Sequence, residues 1–134
     1  MFLLDTNIWL ELLLEREKAD QVRRLLEAEE SWRFSLTDFS LHSIGVILTR
    51  LNKHDLFLHF ISDTLEDSAV QVIRLDSAGL KEVPVVCRRF GLDFDDAYQY
   101  LAADKHNLTL VSFDSDFDRT ERGRKTPADV GARP

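Results

Sequence analysis

Four aspartates far apart in the chain, Asp5, Asp38, Asp96 and Asp114, stand where a carboxylate can do chemistry. Asp5 closes the apolar run Phe2-Leu3-Leu4 and precedes Thr6-Asn7. A carboxylate at the end of a buried strand has no generic structural use, and its charge is costly to bury without compensation. The other acids have ordinary readings beside the chemical one. Asp38 is a good helix cap, worth about 1 kcal/mol. Asp95 and Asp96 suit the first turn of a helix through its dipole. Asp114, Asp116 and Asp118 fit a polar turn with Asx-type hydrogen bonds. Brought to one place, however, these carboxylates raise one another's pKa values. A hard divalent cation resolves that conflict. Oxygen-only ligation suits Mg²⁺ or Mn²⁺ over zinc, and the sequence has no Cys/His spacing for zinc. The chemistry implied is an acidic, metal-dependent phosphate site.

The elements must bring the acids together. Phe2–Leu4 reads as a buried strand, followed by helices over 7–17 and 18–30, the second with Val22, Leu25 and Leu26 at core spacing. A short strand over 32–35 leads to Thr37-Asp38, the cap of a helix to about Asn52, and a further helix spans 54–66. The β-branched run 70–75 is the clearest strand. Asp76-Ser77 caps a helix to Phe90 with Pro84 inside it and Gly91 as its terminator. A helix over 96–106 and a buried strand over 108–112 complete the pattern. Strands separated by helices imply right-handed crossovers. The expected fold is α/β, a three-layer α/β/α sandwich around a mainly parallel sheet of four or five strands. In such a sheet the C-terminal ends of strands and the N-terminal ends of the following helices share one rim. Asp5, Asp38, Asp96 and Asp114 are therefore expected to converge there.

Composition bounds the class. The 134 residues suit one domain spanning 1–134, and 44% hydrophobic content argues against disorder. A net charge of −7 argues against a protein that coats nucleic acid by bulk electrostatics. The charge is uneven, because the stretch 119–134 carries +3 and leaves −10 on the rest. That tail is either simply solvated or a phosphate-contacting flap beside an acidic site, with Arg122 and Arg124 as candidates along with Arg88 and Arg89. The single Cys87 forbids an internal disulfide and fits a reducing, cytoplasmic setting. No apolar run is long enough for a membrane span, and none reads as a signal peptide.

Asp5-Thr6-Asn7 after the first strand, Asp96-Ala97 opening a late helix, and Ser112-Phe113-Asp114-Ser115-Asp116-Phe117 after the next strand together resemble the PIN domain family. The size resembles its stand-alone ribonucleases of the VapC toxin class. The likeness runs to Thr126–Val130, which resembles the family's closing strand. It implies a metal-dependent endonuclease acting on RNA, in which Asp5, Asp96 and Asp114 hold Mg²⁺ or Mn²⁺ and Asp116 does so directly or through water. The metal would lower the pKa of a water for in-line attack, leaving a 5′-phosphate and a 3′-hydroxyl. On the substrate side, Thr6, Asn7 and Ser112 would orient carboxylates or water rather than react. The class also implies a small antitoxin partner and a homodimer.

One departure stands out. The family places a Glu about a turn into the helix that begins near Thr37-Asp38, and this chain has none there. Asp38 and His42, four apart and so on one face, are the candidates to replace it, with a structural role as the plainer reading of His42. The gap leaves a weakly catalytic PIN domain, serving as an RNA- or protein-binding module, as the main alternative. A receiver-type phosphoacceptor domain is a further one, disfavoured because Phe113-Asp114 follows the last strand where a lysine is needed.

Overall fold

The computed structural model describes residues 1–131. Four parallel strands, β1 (Phe2–Leu4), β2 (Phe34–Thr37), β3 (Gln71–Ile73) and β4 (Thr109–Val111), form one sheet in the order β3-β2-β1-β4. β1 lies inside the sheet, with Phe2 beside both Phe34 and Thr109. Strand side chains alternate between faces, and that alternation divides the core. Leu3 belongs to one apolar cluster with Val83, Leu101 and Phe117, whereas Phe2 and Leu4 belong to another with Ile8, Leu25 and Ile44. The first cluster lies under α5 (Ser77–Phe90) and α6 (Phe94–Lys105). The second lies under α1 (Thr6–Leu13), α2 (Ala19–Ala28), α3 (Asp38–Arg50) and α4 (His54–Phe60). The result is the three-layer α/β/α arrangement.

Both clusters depend on this one strand. Leu3→Ala is expected to lower unfolding free energy by about 2–5 kcal/mol, measured by urea denaturation. A loss under about 1 kcal/mol would mean that the strand is not packed as described.

The local chemistry sets the boundaries. Thr37 Oγ1 accepts from Ser40 N (2.9 Å) to start α3, and Asp76 Oδ1 accepts from Gly79 N (2.9 Å) to start α5. Gly91 ends α5 at φ +65°, a conformation that disfavours a Cβ. α5 runs unbroken through Pro84. The expected strand at 32–35 is displaced, because Ser31–Arg33 forms a 3₁₀ turn before β2. α4 continues as a π-helix over Ile61–Glu66.

The expected closing strand at 126–130 is not formed. Pro127–Gly131 is a short helix, α7, and the chain touches the sheet one residue earlier, through a parallel bridge between Lys125 and Val111. The reason is a reciprocal cap: Asp129 N donates to Thr126 Oγ1 (3.2 Å) and Thr126 N to Asp129 Oδ2 (3.0 Å). With proline at the first helical position, Thr-Pro-Ala-Asp is a helix start. Of the expected basic tail, Arg133 lies outside the described residues.

Candidate metal centre

β1 and β4 are neighbours and end together, with Asp5 N donating to Val111 O (2.9 Å), so Asp5 and the Ser112–Asp114 turn leave the sheet side by side. α6 starts at the same rim. It begins at Phe94, two residues before the expected start, which puts Asp95 and Asp96 in its first turn. The outcome is a cleft of about 320 Å³ into which Asp5, Asp95, Asp96 and Asp114 converge, with Thr6, Asn7 and Gln99 between them. Asp96, Asp114 and Asp116 each offer a carboxylate oxygen within 4.8 Å of the other two. Oxygens around one Mg²⁺ at about 2.1 Å lie no more than about 4.2 Å apart, so small side-chain adjustments close this set on an ion. The donors are all hard oxygens, as that ion requires. Asp93, Asp95 and Asp96 form a second group at similar spacing, with Asp93 and Asp95 exposed.

Electrostatics marks the site as incomplete on its own. The Asp96 carboxyl is pushed up to about 7, by burial first and then by Asp114, Asp5, Asp95 and Asp116. Asp5, only 5% exposed, is also raised, with burial as the main cause and hydrogen bonds from Ser112, Gln99 and Thr6 opposing it. Those bonds define its orientation. Oδ1 accepts from Thr6 N (2.8 Å) and Gln99 Nε2 (3.0 Å), and Oδ2 accepts from Ser112 Oγ (2.7 Å).

Ser112 Oγ in turn accepts from Asn7 Nδ2 (3.2 Å) and Asp114 N (3.0 Å), and Asn7 Oδ1 accepts from Phe113 N (3.2 Å). Ser112 and Asn7 therefore tie Asp5 to the turn that carries Asp114. Ser112 is fully buried, and its hydroxyl is occupied in holding carboxylates. Thr6 Oγ1 sits 2.8 Å from Ser40 Oγ in the same network. The hydroxyl and amide neighbours are thus hydrogen-bonded to Asp5 and to the turn that carries Asp114.

Other expected site residues stand elsewhere. Asp38 is at the start of α3, but its Oδ1 accepts from Tyr98 Oη (2.6 Å) and from Phe39 N (2.9 Å), and it does not line the cleft. His42 does not line it either. It faces an adjoining groove with Val46 and Arg50, while α3 presents Phe39, Ser43 and Ile47 to the cleft, none of them a carboxylate. Arg122 is bound to Asp104 and to Leu108 O (3.1 Å), and Arg124 to Asp118 and to Ser112 O (3.1 Å). Arg89 pairs with Glu121. Three aromatic residues not among those candidates have structural contacts: Trp9 and Phe117 are in the core, and Phe113 is half-buried beneath the Lys18 ammonium, 5.1 Å from the ring centroid.

The sequence reading missed Gln99. It is 1% exposed, its Nε2 donates to Asp5 and to Ser40 Oγ (2.8 Å), and its Oε1 accepts from Thr37 Oγ1 (2.6 Å). A glutamine inside the otherwise apolar 97–103 face of α6 was the available signal. Gln99→Leu leaves three buried polar groups without this partner. It should lower unfolding free energy by about 1–3 kcal/mol, and an unchanged urea midpoint would contradict the network.

The PIN domain family model matches residues 2–123. The chain belongs to the PIN domain family. This membership displaces the receiver-type reading. No curated protein sequence matches this PIN domain significantly. Solved structures do match in fold. A toxin–antitoxin complex from Klebsiella pneumoniae is 20% identical, with 95% of this chain and 98% of that one covered and a TM-score of 0.76. The VapC20 toxin of Mycobacterium tuberculosis, titled a Sarcin-Ricin loop cleaving toxin, is 17% identical over 88% and 93%, at TM-score 0.75. FitAcB from Neisseria gonorrhoeae is 20% identical over 95% and 98%, at TM-score 0.72. Among the described residues of this PIN domain, no helix is long and apolar enough to cross a membrane.

Proposed function

We propose that this PIN domain is an Mg²⁺- or Mn²⁺-dependent endoribonuclease and the toxin of a toxin–antitoxin pair. The observation that carries the reading is the cluster Asp96–Asp114–Asp116, at ligand spacing, beside buried Asp5. Asp5, Asp96 and Asp114 would hold the ion directly, and Asp116, at ligand spacing from Asp96 and Asp114, directly or through water. When bound, the ion supplies Lewis-acid activation of water and neutralises charge on the phosphodiester. Asp5, fixed by three donors, keeps its oxygens aimed while the ion offsets the charge that burial disfavours. Ser112 and Asn7 hold the Asp114 turn in register with it. The expected products are a 5′-phosphate and a 3′-hydroxyl.

The likeness to a toxin–antitoxin complex supports the toxin role and a small antitoxin as partner, and a homodimer and a cytoplasmic setting belong to the same proposal. A specific observation favours the second reading, a weakly catalytic module that binds RNA or protein: the α3 residues that line the cleft, Phe39, Ser43 and Ile47, include no carboxylate. One assay separates the two. RNA is incubated with the protein and Mn²⁺, Mg²⁺ or EDTA, beside Asp5→Asn. Cleavage with either metal, abolished by EDTA and by the variant, supports the nuclease. RNA binding without cleavage under every condition would leave the binding module.

A further inference from the structure

The cations expected to contact phosphate include those of the stretch 119–125, and the structure commits the arginines of that stretch elsewhere. Arg119 donates to Phe90 O (3.1 Å) and Gly91 O (2.7 Å) and pairs with Asp116 (3.3 Å). Arg122 and Arg124 each hold a carboxylate and a backbone carbonyl. These contacts tie the segment to the end of α5, to α6 and to the residues on either side of β4, and an arginine taking up phosphate would have to break them.

Arg16 is different. It lies on the connection between α1 and α2, is exposed, and lines the same cleft as Asp5, Asp96 and Asp114. Its guanidinium makes no hydrogen bond or ion pair among the described residues, although carboxylates line that cleft. Its backbone is anchored all the same. Arg16 N donates to Glu11 O (3.0 Å), Ala19 N donates to Arg16 O (3.0 Å), and Glu15 before it takes φ +49°. Lys18 N is further held by the Glu11 carboxylate (2.8 Å). An arginine on a fixed loop, facing an acidic cleft and satisfied by none of its acids, is placed for an anion brought in from outside. A guanidinium suits phosphate through paired N–H donors.

We propose that Arg16 is a substrate-positioning residue of the cleft, which grips a backbone phosphate of the RNA beside the phosphate held over Asp96 and Asp114. This rests on the ribonuclease reading. The strand would enter between the α1–α2 connection on one side and the Phe39–Ser43 wall of α3 on the other.

The test is equilibrium binding of a fluorescein-labelled single-stranded RNA to the full chain across a salt series. Ca²⁺ serves as the divalent ion, and cleavage kinetics in Mn²⁺ are run in parallel. Arg16→Gln should weaken binding about tenfold and reduce the slope of log K against log salt by about 0.7, one phosphate contact on a single strand. It should raise KM with little change in kcat. Arg16→Lys should restore the salt slope and part of the affinity. Lys81→Gln, removing an exposed cation on α5, should match the parent. If the parent binds and cleaves RNA while Arg16→Gln keeps its affinity and slope, the Arg16 assignment is overturned and the ribonuclease reading stands. A parent protein that neither binds nor cleaves RNA would overturn that reading, and this inference with it.

Discussion

Replacing Asp114 with Asn should cut metal-dependent RNA cleavage by at least about a hundredfold, with the fold intact. Loss of a group that merely supports a ligand already costs about 10–100-fold in affinity or activity, and Asp114 is placed in the ligand set itself. It shares spacing with Asp96 and Asp116, and after burial its charge does most to raise the Asp96 pKa. Removing that charge eases repulsion, so the metal-free variant should be at least as stable as the parent. This opposition of signs separates loss of the site from misfolding. A variant that lost activity by misfolding would lose stability as well. Single-turnover cleavage and urea denaturation on the same preparations check both halves. Activity within a fewfold of the parent would remove Asp114 from the site.

The second large effect is in stability against pH. Asp96 carries its proton to about pH 7 in the folded, metal-free protein, whereas the unfolded chain releases it near 3.8, the ordinary aspartate value. Between those values the folded state binds more protons than the unfolded one, so stability falls as pH rises. The contribution is fully present below about pH 4 and gone above about pH 7. Asp5 is shifted in the same direction and adds to the trend. A divalent ion needs the ionised carboxylates, so its effect runs the other way and grows with pH. At a hundred times its dissociation constant it should add about 2.7 kcal/mol, a rise in Tm on the order of 10 °C for a chain of this size. Thermal melts at pH 5 and pH 8, with EDTA and with Mn²⁺, test this. The Mn²⁺ shift should be much larger at pH 8. Equal shifts at both pH values would mean that the acids do not titrate as a group around an ion.

The rim was legible in the sequence because it depends on strand ends and helix starts. Asp5 after Phe2-Leu3-Leu4 and Asp114 after Thr109–Val111 follow adjacent parallel strands, so their meeting follows from topology. Asp96 was placed correctly even though α6 starts two residues earlier than its pattern suggests. What failed depended on partners that one sequence does not pair. Asp38 sits at the right helix start, but the Tyr98 hydroxyl, sixty residues away, holds its carboxylate outside the cleft. The charge of Arg122 and Arg124 was visible, while Asp104 and Asp118, which occupy them, were not recognisable as their partners. Gln99 looked like one polar residue in a helix, and its role exists only where Asp5, Thr37 and Ser40 surround it. The misread closing strand differs, since Thr126-Pro127-Ala128-Asp129 already carried a helix-start pattern.

Everything proposed for the cleft rests on its aspartates sharing an ion. The most direct measurement is an EPR titration of the metal-free protein with Mn²⁺ at pH 7.5, for the parent and for an Asp96→Asn, Asp114→Asn double variant. The predicted result is saturable Mn²⁺ binding by the parent and its loss in the double variant, with both proteins folded. Equal binding by the two proteins, or none by the parent, would contradict the account.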